Sequence, residues 1–241
     1  MNCVVLISAD AEWDAVKRAL AGNLDATHTY PFGEWFRLQP ALLRGSSEAA
    51  HREQSEALKF FHGGWGKISA AASAQFIIDH FSPDLIVNLG TCGGFEGRLQ
   101  AGAVLLVDRT VVYDLIEEMT DPDAAKAHYA SALDLSWLAE PYPHRVSRVV
   151  MASADRDLQA QDIAGLVEQY GAVAADWESA AIAWVAGRNR TRLLILRGVS
   201  DIVGGAGGEV YGKPQLFSAR TRTIMTTLLQ QLPDWLNAIK V

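Results

Sequence analysis

Short apolar runs alternate with alanine-rich stretches of helical spacing along this chain. The first run is Val4 to Ile7, and a helical pattern from Glu12 to Leu20 follows it. A longer helical pattern covers Ile68 to Phe81, and Pro83 separates it from the apolar run Leu85 to Leu89. Continuous apolar strands between helices are typical of a largely parallel sheet that is covered on both faces. The pattern therefore predicts an α/β fold.

The remaining apolar runs extend this alternation to the end of the chain. They predict further strands at residues 58–61, 104–107, 149–151, 173–175 and 193–196. Residues 220–239 predict a final helix, which we expect Pro233 to interrupt because proline lacks the N–H that a helix interior needs. No polar linker or low-complexity stretch divides residues 1–241, so a single domain is expected.

The composition argues against several classes of partner. The net charge is −7 and no cluster of basic residues occurs, which argues against a nucleic-acid surface. No run of about 18 apolar residues suggests a membrane span. The N-terminus lacks the segments of a signal peptide, and Cys3 and Cys92 lack CxxC spacing, so we expect a cytoplasmic protein. The six histidines are isolated from one another, and no metal site is expected.

Polar and glycine residues follow four of the predicted strands at their carboxyl ends. These segments are Ala9-Asp10, Gly90 to Gly94, Asp176 to Glu178 and Ser200-Asp201. In open α/β sheets, ligands bind where strands end at their carboxyl side. Carboxylates at the ends of buried elements are costly unless a ligand or partner uses them. An enzyme is therefore the leading hypothesis.

The segment from Asp176 to Glu178 opens a helix that is apolar on almost every face. Asp176 can cap this helix, and an acidic residue near a helix N-terminus is favoured in any case. We assign Asp176 to that structural role and expect Glu178 to point into the site. Trp177 lies between them and can offer a flat face to a sugar or a base.

Three other segments allow both a structural and a functional interpretation. Gly90 to Gly94 could bring backbone N–H groups to a ligand or could form a tight turn. Ser200-Asp201 could be a plain turn, but the following Gly204 to Gly208 favours a mobile lid over a site. Glu12 is the weakest of the three candidate carboxylates. Gly64 to Ser69 matches neither GxGxxG nor a P-loop, so nicotinamide and nucleoside-triphosphate enzymes are disfavoured.

Four ordered blocks together resemble the purine nucleoside phosphorylase/nucleosidase superfamily, and within it the methylthioadenosine/S-adenosylhomocysteine nucleosidases. The blocks span residues 64–71, 88–94, 176–183 and 197–201. The resemblance implies a single α/β domain, an αβα sandwich with a mixed, partly closed central sheet. It also implies cleavage of an N-ribosyl bond in a small nucleoside, no metal or organic cofactor, and a homodimer.

The resemblance also implies roles for the carboxylates. Asp201, positioned by Ser200, would protonate N7 of the purine as the bond to ribose breaks, because a purine anion is a poor leaving group. Glu178 would bind the ribose hydroxyls and help stabilise developing positive charge. Glu12 would take a proton from the attacking water. The substrate-binding residues implied by the resemblance are Thr91, Gly93, Trp177, Arg197, Ser200 and Leu158.

Two departures from the family pattern bear on the substrate. The phosphorylase branch usually has an arginine before its glycine-rich loop, and this chain has Asn88 and Leu89 there. Binding of a phosphate anion next to Glu12 would be unfavourable. Hydrolysis is therefore preferred over phosphorolysis. Asp157 stands where the nucleosidases have an aromatic residue, and Asp157 or Arg156 could favour a different base or an acidic 5′ group. The alternatives are a phosphorylase, a nucleosidase for a modified nucleoside such as futalosine, and a non-catalytic nucleoside-binding or storage protein.

Overall fold

A mixed central sheet carries the fold, and the computed structural model describes it over residues 1–38 and 57–240. The strands are β1 (Cys3–Ile7), β2 (His28–Tyr30), β3 (Gly33–Arg37), β4 (Lys59–His62), β5 (Leu85–Phe95), β6 (Val104–Val112), β7 (Ser131–Ala132), β8 (Ser147–Ser153), β9 (Ala172–Asp176), β10 (Arg192–Gly204) and β11 (Gly207–Gly208). The helices are α1 (Asp10–Ala19), α2 (Lys67–Phe81), α3 (Pro122–Tyr129), α4 (Ala160–Tyr170), α5 (Ser179–Asn189) and α6 (Pro214–Asn237).

The sheet is partly closed on itself. Its order is β11-β10-β6-β8-β9-β5-β1-β4-β3-β2, and β10 also pairs with β5, so that β10, β6, β8, β9 and β5 form a ring. The β5–β10, β1–β5, β6–β8 and β8–β9 pairs are parallel, whereas β10–β6 and β5–β9 are antiparallel. A mixed, partly closed α/β sheet is thereby confirmed.

Helices cover both faces of this sheet, which explains why its strands are continuous apolar runs. Along β1, Val5 and Ile7 pack into the cluster under α1 and α6. The alternate residues Val4 and Leu6 pack into the cluster under α2 and α5. Because successive side chains of a strand point to opposite faces, a strand buried on both faces has no polar position.

The structure excludes one of the two interpretations of Gly90 to Gly94 and contradicts the expected interruption of the last helix at Pro233. Gly90 to Gly94 does not form a tight turn after a strand, because β5 continues through these residues to Phe95. Glycine is needed there for close approach, since a Cβ at Gly94 would lie 2.9 Å from Cγ1 of Val199 in β10. The last helix does not end at Pro233 either: α6 runs on to Asn237, with Trp235 fully buried in the core beyond the proline.

The sequence analysis did not predict the elements β2, β3, α3 and α4. The strands β2 and β3 are short and mix polar with aromatic residues. Helix α3 buries no residue, and α4 buries only Leu166. The two strands and α3 therefore lack the apolar pattern on which the prediction rested. Helix α4 does carry apolar residues at helical spacing (Ile163, Leu166, Val167 and Tyr170), a signal that the prediction did not use. Among the residues that the structure describes, no helix is both long and apolar enough to cross a membrane.

Gly198 of β10 supplies a test of the packing between the sheet and α6. A Cβ at this position would overlap the side chain of the buried Ile224. We expect Gly198→Ala to lower the free energy of unfolding by about 1–3 kcal/mol, because a packed core cannot absorb the added methyl group. Urea denaturation measures the change. The control is Gly165→Ala in α4, where no atom lies within 4 Å of the added carbon. Equal effects at the two positions would contradict the packing.

Candidate active site

The four strand-end segments meet at one cavity of about 570 Å³. Its lining comes from the ends of β1, β6, β8 and β9, from the glycine-rich part of β5, from β10, and from the chain that leads into α6. The lining residues are Ala9, Glu12, Trp65, Thr91, Cys92, Gly93, Tyr113, Arg156, Asp157, Leu158, Ala175, Asp176, Trp177, Glu178, Ser200, Asp201, Val210, Tyr211, Gly212, Lys213, Pro214 and Phe217. Eight of the nine residues that the sequence analysis assigned to the site are among them; Arg197 is not.

Glu12 lies in the first turn of α1 and is held against β5. Its Oε1 accepts hydrogen bonds from the backbone N–H of Thr91 at 2.6 Å and from Thr91 Oγ1 at 2.8 Å. Burial raises the pKa of Glu12, against the opposing effects of Arg197 and these hydrogen bonds. A Cβ at Gly90 would lie 3.0 Å from both carboxylate oxygens. The absence of a side chain at Gly90 therefore provides the space that the Glu12 carboxylate occupies.

Asp176 is fully engaged with protein groups. It accepts hydrogen bonds from Ser153 Oγ at 2.6 Å, from the hydroxyl and the backbone N–H of Ser179, and from Arg197 Nε at 2.9 Å. Because Ser179 begins α5, the carboxylate also satisfies an N–H at that helix N-terminus. This arrangement agrees with the structural role expected for Asp176.

Arg197 lies behind the cavity wall, which differs from the expectation that it binds substrate. Its side chain is 2% exposed and forms a buried ion pair with Asp176. The guanidinium also donates to Asn88, at 2.5 Å to Oδ1 and 3.3 Å to the carbonyl oxygen. Burial disfavours its charge, but the neighbouring carboxylates Asp176, Glu12 and Glu178 raise its pKa overall. The arginine serves as the counter-charge of the site.

Glu178 ends the loop after β9 and faces the N-terminus of α2. Its Oε1 accepts a hydrogen bond of 3.0 Å from the backbone N–H of Gly66. Burial, together with the charges of Asp176 and Glu12, raises the pKa of Glu178 to about 8. A carboxyl group of this kind can change its protonation state near neutral pH.

Asp201 is aimed into the cavity by an irregularity in β10. The pairing of β10 with β5 shifts register between Val199 and Asp201, so Ser200 is an extra residue of the bulge type. Oδ1 of Asp201 accepts a hydrogen bond of 3.0 Å from the backbone N–H of Val210. Burial raises the pKa of Asp201 against the effect of the backbone hydrogen bonds. A Cβ added at Gly208 would overlap Oδ2 of Asp201, so only glycine leaves space for the carboxylate there.

Residues 153–158 contribute both to the helix termini and to the cavity rim. Asp155 accepts a hydrogen bond of 2.7 Å from the backbone N–H of Lys67, at the start of α2. Arg156 lies over the ring of Tyr113 and donates to Asp162 at 2.7 Å. Asp157 is exposed at the rim. The position where the family pattern expects an aromatic therefore carries a solvated carboxylate.

The sequence analysis missed most of the aromatic side chains that line the cavity. Trp65 packs edge-to-face on Trp177 with ring centres 5.2 Å apart. Tyr211 donates a hydrogen bond of 2.9 Å from its hydroxyl to the carbonyl of Leu158. Tyr211 follows the glycine-rich segment Gly204 to Gly208. That segment forms the turn between β10 and β11 and does not itself line the cavity. The segment over the cavity starts at Val210, and the mobility expected of a lid stays a prediction.

Glu178 allows a test of the electrostatics of the site. The folded protein keeps a proton on Glu178 up to about pH 8, whereas an unfolded glutamate loses it near 4.5. The stability that this proton provides is present below pH 4.5 and is lost as pH rises towards 8. We expect Glu178→Gln to gain stability relative to the unchanged chain between pH 5 and pH 8, on the order of a few kcal/mol. Urea denaturation at both pH values measures this gain.

The matched control is Glu34, a partly exposed glutamate that is bound by Lys17 and Trp13. Its hydrogen bonds with these two side chains lower its pKa. Glu34 is therefore ionised at both pH values. The difference in unfolding free energy between Glu34→Gln and the unchanged chain should be the same at pH 5 and pH 8. A Glu178→Gln variant whose stability follows the unchanged chain at both pH values would rule out the raised pKa.

Comparison with known proteins places these observations in a family. The sequence pattern of the phosphorylase superfamily matches residues 58–232. A 5′-methylthioadenosine/S-adenosylhomocysteine nucleosidase of Oceanobacillus iheyensis is 32% identical over 152 residues, which are 58% of this chain and 66% of that relative. The chain thus aligns with slightly less than two thirds of the relative's length.

Solved structures share the fold at low sequence identity. The nucleosidase of the same name from Colwellia psychrerythraea 34H, in complex with adenine, has a TM-score of 0.72 and 19% identity and covers 100% of this chain and 97% of its own. A futalosine hydrolase mutant of Helicobacter pylori has a TM-score of 0.73 and 14% identity, with 98% and 99% covered. These likenesses show the fold. The matched residues 58–232 include every candidate site residue except Glu12.

Proposed function

Because the chain belongs to the phosphorylase superfamily, we propose that it is a nucleosidase, a hydrolase that cleaves the N-ribosyl bond of a purine nucleoside. The substrate that we propose is of the 5′-methylthioadenosine/S-adenosylhomocysteine type, which the name of the Oceanobacillus relative supports. The observation that carries the proposal is the meeting of Glu12, Glu178 and Asp201 at one cavity, where burial raises the pKa of all three. Such groups are suited to holding and moving protons.

Asp201 is the proposed acid. Its raised pKa favours the protonated form that must give a proton to N7 of the departing base. The Val210 amide fixes Oδ1, which leaves Oδ2 as the oxygen that can carry the proton. The base would therefore lie in the cavity against Asp201 and Tyr211, which both line it.

Glu178 is the proposed ribose-binding group. As the bond to the base breaks, the ribose becomes oxocarbenium-like and positive. A positive charge close to Glu178 favours the ionised form of its carboxyl group, and that form stabilises the developing charge. Trp177 and Trp65 form the wall beside this position.

Glu12 is the proposed base for the attacking water. The N–H and hydroxyl of Thr91 hold one carboxylate oxygen, and Oε2 has only a longer hydrogen bond of 3.3 Å, from the Ala9 amide. The cationic side chains of the cavity lining are Arg156 and Lys213, and Arg156 is paired with Asp162. Arg197 is also near Glu12, but it lies behind the cavity wall and is bonded to Asp176 and Asn88. A phosphate in the cavity would therefore meet the carboxylate of Glu12 first, which favours water as the nucleophile.

A second candidate is a nucleosidase for a modified nucleoside with an acidic 5′ group, such as futalosine. The specific observation is the polar rim of the cavity, where Asp157 stands in place of an aromatic and Lys213, which is bonded to the neutral Glu209 carbonyl, can approach a negative group. A cation at that rim would attract a carboxylate that methylthioadenosine does not have.

Assembly and compartment are also proposals. We propose a homodimer that forms through the face beside the cavity mouth. Large apolar side chains are strongly exposed there: Trp65, Ile68, Ile116 and Met119. The two segments that carry them are joined by the ion pair of Lys67 with Asp114. Such a patch is typical of a protein interface.

The two buried free cysteines are compatible with a reducing cytoplasm, which we propose as the location.

The proposed reaction is tested by base release from methylthioadenosine, S-adenosylhomocysteine, adenosine, inosine and futalosine, each with and without phosphate. We expect base and free sugar from methylthioadenosine or S-adenosylhomocysteine without phosphate. Release from futalosine alone would select the second candidate. Release that requires phosphate would show a phosphorylase, and release from none of them would contradict the proposed function.

Asp201→Asn tests the assignment of the acid. Asparagine keeps the size of the side chain but cannot deliver a proton, so we expect turnover to fall by about a hundredfold or more. The binding of a non-cleavable nucleoside analogue, measured by calorimetry, should change much less. Equal losses of binding and turnover would show that Asp201 only holds the substrate.

A further inference from the structure

Arg220 of α6 lies outside the cavity, but it is hydrogen-bonded both to the strand that carries the proposed acid and to the segment that covers it. Its Nη1 donates a hydrogen bond of 3.1 Å to the carbonyl of Ser200, the residue before Asp201. The same nitrogen donates at 2.6 Å to Oε2 of Glu209, in the segment that covers Asp201. One guanidinium thus joins the strand that carries the acid to the segment over it.

The segment next to Glu209 is itself tied to Asp201. The backbone N–H of Glu209 donates to the carbonyl of Ile202 at 3.1 Å, and the N–H of Val210 donates to Asp201 Oδ1 at 3.0 Å. The carbonyl of Glu209 accepts from Lys213 Nζ at 3.0 Å. The orientation of the acid therefore depends on where residues 209 and 210 lie.

We propose that Arg220 is a positioning residue, which clamps residues 209–210 onto β10 and thereby holds the Val210 amide on Asp201. The proposal rests on the proposed function, in which Asp201 is the acid. Arg220 is not among the residues that line the cavity, and it is bonded to the backbone of one of them, Ser200, so it acts on the reaction through its neighbours.

The clamp also fixes two opposite charges beside Asp201. The charge of Glu209 raises the pKa of Asp201, and the charge of Arg220 lowers it. Other ionisable groups on this side are Tyr211, which lies close to both Asp201 and Asp157, Asp157 itself at the rim, and Lys213, whose Nζ is bonded to the Glu209 carbonyl. The side chains of Arg220 and Glu209 are 29% and 48% exposed, so solvent screens both effects.

The test is the pH dependence of base release by Arg220→Met and Glu209→Gln. Because the protonated acid is the active form, the rate falls as pH rises through the pKa of Asp201. Removing Arg220 should move this fall to higher pH, because both its charge and the Val210 hydrogen bond lower the pKa of Asp201. Glu209→Gln removes a charge that raises the pKa, but it also releases the Val210 amide, whose effect is larger, so the fall should move to higher pH in this variant too. Both variants should lose about tenfold or more in kcat, because the Val210 amide is no longer held, with a smaller change in KM.

Two controls separate positioning from a general effect on the fold. Arg222→Met removes an exposed arginine from the same helix and should leave the pH profile and kcat unchanged. Arg220→Lys keeps the charge, and we expect it to restore the position of the pH-dependent fall with only part of kcat. A fall that moves to lower pH in Glu209→Gln, as loss of its charge alone would cause, or kcat values within twofold of the unchanged chain, would overturn the proposal.

A readout without turnover keeps the proposal distinct from the proposed function. Carbon-13 NMR follows the titration of the Asp201 carboxyl carbon in the folded chain without substrate. Arg220→Met and Glu209→Gln should both shift that titration to higher pH, because both release the Val210 amide from Asp201. If the chain cleaves no nucleoside but these shifts occur, the proposed function fails and the clamp stands. If turnover occurs and the shifts do not, the clamp fails alone.

Discussion

The pairing of β5 with β10 is the constraint on which the rest of the structure depends. The two parallel strands stay in contact from Leu85–Arg192 to Phe95–Val203, and this contact closes the sheet into a ring. At the far end of the pairing, β5 also pairs with β9, so Gly93 lies between Asp201 and Ala175. Glu178 follows β9, Asp201 lies in β10, and Glu12 is bonded to Thr91 of β5. The closure is therefore what brings three carboxyl groups from distant parts of the chain to one cavity.

Burying this many acids requires a counter-charge, and Arg197 provides it. An unpaired buried charge is strongly destabilising, and a buried pair is tolerated when its hydrogen bonds are satisfied. Arg197 meets this condition through Asp176 and Asn88, and Asp176 is further satisfied by two serines. Glu12 and Glu178 keep raised pKa values. The Asp176–Arg197 pair thus balances the buried charge, while the carboxyl groups facing the cavity stay free to exchange protons.

The sequence predicted the strand ends that form the site, because apolar runs and the residues after them are local signals. Glu12, Glu178 and Asp201 were identified in this way, with their roles taken from the resemblance. The position of Arg197 could not be predicted, because the register that buries it behind Gly90 is a long-range feature. Tyr211 and Arg220 carry no local signal either; they reach the site only because α6 packs back onto β10. Pro233 shows the converse, since burial of Trp235 outweighs a local helix-breaking preference.

Burial at the sheet closure raises the pKa values of Glu12 and Glu178 above those of ordinary glutamates. Carbon-13 NMR titration of the glutamate carboxyl carbons in the folded chain tests this claim most directly, and Glu34 provides an internal reference. The account predicts that Glu178 titrates near pH 8 and Glu12 above its ordinary range, while Glu34 titrates below that range. Titration of Glu12 and Glu178 together with the exposed glutamates of the chain would contradict it.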